Sequence, residues 1–426
     1  MADAVLPFDD LLTELEATSF DRPPALVANA HITGLGVARA LARHDVPVVA
    51  LDRSGDGVAP ASDAVDLAGR VTYPLDDRAG FRDDLERVAE RVAHEPVAFA
   101  CMDEWVHALA ATEPAGVRLP FSDREVIDAV LDKESLYGLA ADLDVPVPET
   151  YRVAETHDGS VDPAGTPPAT LSADEAAAEL GFPLVVKPAR KREFEELVGT
   201  NVVEVGDAEA YRETVERARE AGVRVMAQEK VSVVPGGDRS LASYRPPDGE
   251  GETLGLVGAS TRQPAGYGTA CLVDVVAAPS VRERSLSLLA AAGYHGISEV
   301  EYVRDGDREE HVLLDLNTRP WKWIGLPTAA EQNLPMAAYA DATGASYGGR
   351  REPRDARWVS LRDYLERLST EPGDCPRLAR AEWRALAAGA FDAAGLGTAV
   401  FDPDDPGPTA DLLATAFGER TYYCSC

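Results

Sequence analysis

The sequence predicts an open α/β domain at the N-terminus, followed by regions of mixed α+β structure. An apolar run at 25–30, ALVANA, is typical of a buried strand. It is followed by the turn segment HITGLG and the helical segment VARALARH. A second apolar strand then ends at Asp52. This alternation of strands and helices continues to about residue 120. Further along, apolar strands occur as neighbouring pairs, most clearly at 297–303 and 311–317. Adjacent strands joined by a short turn are typical of antiparallel sheets.

The length and composition of the chain bound its class. At 426 residues, of which 45% are apolar, the chain is too long for one ordinary core, so two to four domains are expected. Its apolar runs are broken within about a dozen residues, which is too short for a membrane span. The first residues, MADAVLPFDDLL, lack the basic-then-apolar order of a signal peptide. We therefore expect a cytoplasmic protein without a membrane partner.

Acidic residues far outnumber basic ones. The 73 Asp and Glu stand against 41 Lys and Arg, which gives a formal net charge of −32. Because the acids are dispersed through the chain, the composition suits a halophile-like protein that stays soluble in concentrated salt. Duplex binding needs clustered Lys and Arg, so the composition argues against a nucleic-acid partner. The sequence leaves the oligomeric state open, with a homodimer among the alternatives.

Lysine is rare in this chain. Of the 41 basic residues, five are lysines and the other 36 are arginines. A sequence that otherwise replaces lysine is expected to keep it where a compact ammonium group is needed. The lysines are therefore candidate functional residues: Lys133, Lys187, Lys191, Lys230 and Lys322.

The first strand–turn–helix unit contains a Gly-x-Gly pattern at Gly34 and Gly36. One interpretation is a nicotinamide site in which Asp52 binds the ribose. The third glycine of that fingerprint is missing, since Ala38 and Arg39 occupy its place. A short tight turn explains the two glycines equally well.

The middle and C-terminal parts are predicted in less detail. One helix is expected from Asp123 to Leu143, and a surface loop at 154–173, which is rich in Pro, Gly, Asp and Thr. Two helices are expected near 360–369 and 380–390. Further strands are predicted at 182–188, 201–205, 224–231, 254–262 and 269–277.

Four oxygen-bearing side chains are predicted to converge on one face of the 297–317 hairpin. Residues two apart in a strand face the same side. If the turn is centred near Arg308, Glu301 lies opposite Asp315, and Glu299 lies opposite Asn317. Their apolar neighbours are expected to point into the core: Val300, Tyr302, Leu314 and Leu316.

Carboxylates this close repel each other unless a cation lies between them. Oxygen ligands without Cys or His favour Mg²⁺, with Mn²⁺ as an alternative, and phosphate oxygens would complete the shell. A solvated polar face of an amphipathic hairpin is the simpler interpretation. Arg319, two residues after Asn317, favours the metal, because a guanidinium there could neutralise a transferring phosphoryl group.

The order of these segments resembles the ATP-grasp superfamily. The resemblance rests on VVKP, then QEKV, then SEVEYV and LLDLNTRPW, and it covers about residues 20–345. It is closest to the carboxylate–amine ligases that include D-aspartate ligase. Asp315 replaces the glutamate that is usual in this motif. The resemblance implies a pre-ATP-grasp α/β domain and a two-lobed ATP-grasp fold, with these boundaries: 1–120 for the first domain, 121–348 for the second (nucleotide lobe 180–232, catalytic lobe 233–348), and 349–426 for a C-terminal helical extension.

The resemblance also implies a nucleotide site. Lys133 and Lys187 would contact the phosphates of ATP, and Asp238 would accept hydrogen bonds from the ribose hydroxyls. The adenine edge would pair with the backbone of the last two residues of one segment: Gln228, Glu229, Lys230 and Val231. The flap that follows Lys187, at 189–200, contains one glycine, Gly199, although the family's flap is usually glycine-rich.

For the reaction, the resemblance implies that Glu301, Asp315 and Asn317 hold Mg²⁺. Arg319 and Arg262 would contact the γ-phosphate or the activated carboxylate. The implied activity is ligation of a carboxylate to an amine through an acyl phosphate, with amino acids or small peptides as substrates. Three alternatives remain: kinase-like phosphoryl transfer on the same fold, a dinucleotide-dependent oxidoreductase, and a module that binds ATP without turnover.

Overall fold

Three β-sheets organise the part of the chain that the structure describes. The computed structural model describes residues 5–157, 165–189, 202–247, 253–264, 268–350, 352–371, 373 and 375–417. The expected flap at 189–200 lies almost wholly outside the described residues, and Lys191 lies outside them as well. In the part of the chain that the structure describes, no helix has both the length and the apolar character needed to cross a bilayer.

The N-terminal sheet has four parallel strands in the order β3-β2-β1-β4. The predicted α/β unit is therefore confirmed, with helices following β1, β3 and β4. The strands are β1 Ala25–Ala28, β2 Val48–Asp52, β3 Leu67–Arg70 and β4 Val97–Ala100. The helices are α1 Phe8–Ala17, α2 Ile32–Ala42, α3 Arg78–Ala89 and α4 Asp103–Thr112.

Helix α2 begins earlier than the sequence suggested. Gly34 and Gly36 lie inside the helix, so the expected tight turn at these glycines is wrong. A Cβ atom at Gly34 would lie 2.7 Å from the carbonyl oxygen of Asn29, and one at Gly36 would lie 2.7 Å from Cγ2 of Ile324. The glycines therefore allow α2 to approach its neighbours closely.

The helix expected from Asp123 to Leu143 is two helices, α5 Arg124–Leu131 and α6 Lys133–Asp142. The break occurs at Asp132, whose side chain caps α6 by accepting hydrogen bonds from the backbone of Glu134 and Ser135. Lys133 thus starts a helix. Its backbone N–H donates to the carbonyl oxygen of Ala189, 2.9 Å away.

A five-stranded sheet follows in the order β6-β5-β9-β7-β8. The loop expected at 154–173 is shorter than predicted, because its end forms a strand that pairs with β5. The strands are β5 Thr150–Val153, β6 Thr170–Leu171, β7 Leu184–Pro188, β8 Val203–Val205 and β9 Val225–Glu229. Two helices pack on this sheet, α7 Ala173–Leu180 and α8 Ala208–Glu220.

The largest sheet has seven strands in the order β14-β13-β10-β11-β12-β15-β16. Five of its strands come from the central part of the chain: β10 Arg239–Arg245, β11 Leu254–Gln263, β12 Thr269–Val276, β13 Gly296–Asp305 and β14 Glu310–Asn317. The helices of this part are α9 Pro279–Ala291, α10 Gly325–Ala329 and α11 Leu334–Thr343.

The C-terminal region is not only helical. It adds β15 Arg357–Val359, which pairs with β12, and β16 Leu396–Thr398, which pairs with β15. Because these strands continue the seven-stranded sheet, the region after residue 349 is part of that sheet's structure. Its described helices are α12 Leu361–Thr370, α13 Arg380–Ala388, α14 Phe391–Ala394 and α15 Gly407–Phe417.

Candidate active site

A cleft of about 640 Å³ lies where residues of the five-stranded and seven-stranded sheets face each other. Lys187 on β7 lines one side, and side chains of β10 to β14 line the other. Of the twelve residues predicted for the site, ten line this cleft: Lys133, Lys187, Lys230, Val231, Asp238, Arg262, Glu301, Asp315, Asn317 and Arg319. The other two, Gln228 and Glu229, do not.

The described lysines all line this one cleft: Lys133, Lys187, Lys230 and Lys322. With Arg262 and Arg319 they supply six positive charges, against four carboxylates among the lining residues. In a chain whose net charge is −32, this local excess of positive charge is suited to an anionic ligand. The four described lysines thus come together in one cleft, and their functional role there stays a prediction.

The hairpin formed by β13 and β14 has the predicted register at its polar end. Glu301 pairs with Asp315, and Glu299 pairs with Asn317. A bulge then shifts the register, so that Tyr302 pairs with Leu313. Because of this extra residue, Leu314 lines the cleft and Leu313 is buried. The expectation that Leu314 points into the core was therefore wrong.

Asn317 joins the carboxylates of β13. Its Nδ2 donates hydrogen bonds to Oε1 of Glu301 (2.8 Å) and Oε2 of Glu299 (3.1 Å). Burial and the neighbouring charge of Glu301 raise the pKa of the Glu299 carboxyl well above its usual value. This pair of adjacent carboxyl groups is therefore an environment in which an additional cation would be stabilised.

Lys133 neutralises the third carboxylate. Its Nζ lies 2.6 Å from Oδ1 of Asp315. Burial lowers the pKa of the Lys133 ammonium, but the adjacent Asp315 carboxylate more than compensates, so the pKa is raised overall. Lys133 is consequently held in its charged form at the floor of the cleft.

Arg262 on β11 bridges two carboxylates. Its Nη2 lies 3.2 Å from Oε2 of Glu301, and its Nε lies 3.3 Å from Oδ2 of Asp238. Burial raises the pKa of the Asp238 carboxyl, although Arg262 opposes this effect. Asp238, the predicted ribose acceptor, thus forms an ion pair with Arg262, a residue predicted to contact the γ-phosphate or the activated carboxylate.

Arg319 is fixed by the N-terminal domain. Only 5% of it is exposed, its Nε lies 2.5 Å from Oδ1 of Asp103, and its Nη1 donates to the carbonyl oxygen of Pro320. Asp103 is the first residue of α4, directly after β4. The predicted N-terminal domain and the predicted ATP-grasp domain therefore meet at this guanidinium group.

No protein-family model matches the chain, and no curated protein matches it in sequence. Its structure is similar to N5-carboxyaminoimidazole synthetase from Staphylococcus aureus, with a TM-score of 0.60 and 15% identity, over 84% of this chain and 88% of that one. It is also similar to a biotin carboxylase β,γ-ATP complex from Campylobacter jejuni, with a TM-score of 0.59 and 14% identity, over 78% of this chain and 74% of that one. For L-amino acid ligase from Bacillus licheniformis, the TM-score is 0.54 and the identity is 14%, over 79% of each chain.

These solved structures have the ATP-grasp fold. The chain has the ATP-grasp fold. The predicted fold class is therefore confirmed, and identities of 14–15% make this a likeness of fold. In the ATP-grasp fold of this chain, the five-stranded and seven-stranded sheets form the two lobes, and the charged cleft lies between them.

The residues of the ATP-grasp cleft fit a magnesium ion that shares its shell with phosphate. Among the described residues, no three His, Cys, Asp or Glu side chains are grouped so as to enclose a metal by themselves. Glu301 and Asp315, paired across the hairpin, offer carboxylate oxygens. Asn317 has Oδ1 as a further acceptor, because its Nδ2 is the donor to the glutamates. Mg²⁺ commonly takes one or two carboxylates and completes its shell with phosphates and water.

The side chains of Gln228 and Glu229 have structural partners instead of lining the cleft. Gln228 is buried, and its Nε2 donates to Oγ1 of Thr150 (2.9 Å) and to the hydroxyl of Tyr137 (3.2 Å). Glu229 forms an ion pair with Arg308. Any nucleotide contact in this segment is thus left to its backbone and to the residues that follow.

The nicotinamide interpretation does not agree with the ATP-grasp geometry. Asp52 is only 1% exposed, so a ribose cannot reach its carboxylate. Its Oδ1 accepts from the backbone of Arg53, and its Oδ2 lies 3.7 Å from Nε2 of His31. Gly34 and Gly36 are inside α2.

A buried ion-pair cluster next to Lys133 was not predicted. Glu134, which is fully buried, contacts Nε2 of His157 (2.6 Å), Nη1 of Arg224 (2.9 Å) and Nε of Arg152 (3.1 Å). These partners belong to the five-stranded lobe, so the cluster ties the start of α6 to that lobe. The sequence offers no spacing signal for it, because its members are separated by up to 90 residues.

Proposed function

We propose that this protein is an ATP-dependent carboxylate–amine ligase that forms an amide bond through an acyl phosphate. The observation that carries the proposal is the cleft between the two ATP-grasp lobes, in which four lysines, two arginines and the Glu301–Asp315 pair come together. Lys133, Lys187 and the carboxylate pair are suited to a polyphosphate with a divalent cation, and the two arginines extend the site toward a second anionic substrate.

In this proposal, the lobes hold ATP between them. Lys187 on β7 and Lys133 at the start of α6 bind the phosphates as compact positive charges. The backbone of Lys230 and Val231 pairs with the adenine edge, and Asp238 accepts from the ribose. For Asp238 to do so, its contact with Arg262 has to open or be shared, since Arg262 Nε lies 3.3 Å from it.

Glu301, Asp315 and Asn317 would hold Mg²⁺ or Mn²⁺, which supplies charge neutralisation on the phosphate oxygens when bound. Arg262 and Arg319 add positive charge beside these ligands. Arg262 is oriented by Glu301, and Arg319 is oriented by Asp103, so both guanidinium groups are preorganised for the charge that develops on the transferring phosphoryl group.

The reaction proceeds in two displacements. A substrate carboxylate oxygen attacks the γ-phosphorus of ATP, the bond to the β,γ-bridging oxygen breaks, and ADP departs with that electron pair. The nitrogen of a neutral amine then attacks the acyl carbon, the carbon–oxygen bond to phosphate breaks, and inorganic phosphate leaves. The nitrogen loses one proton to solvent. Exclusion of water from the closed cleft protects the acyl phosphate from hydrolysis.

The proposal is tested by an ADP-release screen of pairs of amino acids and small peptides in concentrated KCl with MgCl₂. ADP and phosphate release that requires both a carboxylate and an amine, with a new amide detected by mass spectrometry, supports the ligase. ADP release with a single substrate and a stable phosphorylated product would indicate kinase-like transfer. ATP binding without ADP formation from any pair would indicate a binding module.

A further inference from the structure

We propose that Lys322 and Trp321 bind a carboxylate group of the substrate that is not phosphorylated. Asp363, from the C-terminal region, is the positioning residue for Lys322. The inference rests on the proposed ligase function, and it specifies one substrate as a compound with a carboxylate besides the reactive one. The sequence marked Lys322 as a candidate functional residue without naming its ligand, and it gave Asp363 no role.

Lys322 is buried where the cleft meets the C-terminal region. It lines the cleft with 8% of its surface exposed. Its Nζ lies 2.7 Å from Oγ1 of Thr269 on β12 and 2.7 Å from Oδ2 of Asp363 on α12. Asp363 also accepts a hydrogen bond from Oγ of Ser360. These two contacts hold the Lys322 ammonium group in one orientation where the residue lines the cleft, so an anion bound there could contact it.

Trp321 supplies an independent observation. It lines the cleft, is 3% exposed, and packs edge-to-face on Trp323 with ring centroids 5.0 Å apart. Within the described part of the chain, its buried indole Nε1 has no hydrogen-bond partner. A buried N–H donor without an acceptor is costly, and an oxygen of a bound ligand would satisfy it.

This end of the cleft is far from the proposed phosphate site. Lys133 contacts Asp315 on β14, whereas Lys322 contacts Thr269 on β12. Four strand spacings separate β14 from β12 in the sheet order, which amounts to roughly 19 Å between the strand axes at about 4.8 Å per spacing. One phosphate cannot serve both lysines. Arg262, on β11 between these two strands, is where the reactive carboxylate would meet the phosphate.

The Lys322 pocket therefore fits a carboxylate better than a neutral group. A lysine ammonium and an indole N–H are both donors, and a carboxylate offers acceptors with a full negative charge. Thr269, which contacts Lys322, and Ser260 also line the cleft. The C-terminal region contributes through Asp363, and its strand β15 pairs with β12, which carries Thr269 at its start.

The test is calorimetric titration of the full chain in concentrated KCl with MgCl₂ and a non-hydrolysable ATP analogue. The probes are succinate and glutarate, each matched with its monoamide. We expect the dicarboxylate to bind at least tenfold more tightly than the monoamide for the chain length that fits. Lys322→Gln should reduce this ratio to below threefold, and Lys322→Arg should retain most of it, because only the arginine keeps the charge.

Asp363→Asn should lower the ratio by about threefold to tenfold, and Asp363→Glu should restore it, since the carboxylate orients Lys322. Affinity for the ATP analogue should stay unchanged in all these variants. A substitution that disturbed the fold of the cleft would weaken binding of the ATP analogue as well. If Lys322→Gln does not fold by circular dichroism, the Asp363 pair decides. The inference is overturned, and the proposed ligase is not, if the wild type binds dicarboxylate and monoamide with similar affinity or if Lys322→Gln leaves the ratio of these affinities unchanged. Failure of the wild type to bind the ATP analogue instead overturns the proposed ligase.

Discussion

Lys133 Nζ lies 2.6 Å from Asp315 Oδ1, so a predicted phosphate-binding lysine is paired with a predicted metal ligand. The two residues are 182 positions apart, one at the start of α6 and the other near the end of β14. The contact connects the nucleotide side of the cleft to the metal side. In the proposed enzyme, ATP and its cation would have to share or replace this ion pair.

Asp315→Asn should leave the fold intact and lower ATP turnover by several hundredfold. The substitution removes a carboxylate that the proposed metal needs, and lost phosphoryl stabilisation of about 3–4 kcal/mol corresponds to that factor. Steady-state ADP release measures the effect. Asp142→Asn, an exposed substitution at the end of α6, is the matched control and should behave as wild type. Near-normal turnover in Asp315→Asn would contradict the metal assignment.

Lys133→Met should strengthen binding of Mn²⁺ in the absence of nucleotide by about threefold or more. The ammonium of Lys133 competes with a divalent cation for Asp315, and its removal relieves repulsion between like charges. The same variant should weaken binding of ATP by at least tenfold, because a phosphate contact is lost. Electron paramagnetic resonance of free Mn²⁺ and a nucleotide titration report the two effects. Loss of both affinities together would mean that Lys133 does not compete with the metal.

Asp103→Asn should lower kcat by about tenfold to a hundredfold while the KM for ATP stays within about threefold. Asp103 orients Arg319 through Nε, and a neutral amide holds the guanidinium less firmly at the transition state. Asp103→Glu, which keeps the charge, should recover part of the rate. An unchanged kcat would show that Arg319 does not depend on the N-terminal domain for its orientation.

Glu134→Gln should destabilise the protein at pH 7 by about 3 kcal/mol, because its arginine and histidine partners lose a buried counter-charge. Burial by itself raises the pKa of the Glu134 carboxyl, but His157, Arg224 and Arg152 lower it below 4.5 overall. A lowered pKa in the folded state means that the stabilisation is present above pH 4.5 and is lost as the pH falls through the folded pKa.

The difference in urea-unfolding free energy between wild type and Glu134→Gln should therefore shrink below pH 4.5. Glu220→Gln, an exposed substitution at the end of α8, is the matched control and should change stability little at any pH. A wild-type advantage that stays constant from neutral pH down to about pH 3.5 would rule out this role for the Glu134 carboxylate.

Gly34→Ala should lower the free energy of unfolding by about 1–2 kcal/mol. The new Cβ would lie 2.7 Å from a backbone oxygen that cannot move freely, and this clash exceeds the gain of about 1 kcal/mol from better helix propensity. Gly206→Ala, where a Cβ would meet nothing within 4 Å, should be neutral or slightly stabilising. Equal effects of the two substitutions would contradict the close packing of α2.

The metal-side residues could be predicted because their relationship is local. Glu301 and Asp315 belong to one hairpin, and the alternation of side chains along two strands places them opposite each other. The same rule failed at Leu314, because a bulge inserts one residue and reverses the facing of the next position. A bulge leaves no signal in the apolar pattern of a single sequence.

By itself, the sequence determined the candidate functional residues of this protein: composition marked the few lysines, local pattern marked the hairpin carboxylates and Arg319, and the family resemblance implied Arg262. These signals depend on residue type and on short-range periodicity, which the chain carries in its order. Only the tertiary structure decided their partners, because Asp103 and Asp363 reach Arg319 and Lys322 from distant segments and have no spacing that marks them. The ion pair between Lys133 and Asp315 shows the difference, since both residues were predicted and their contact was not.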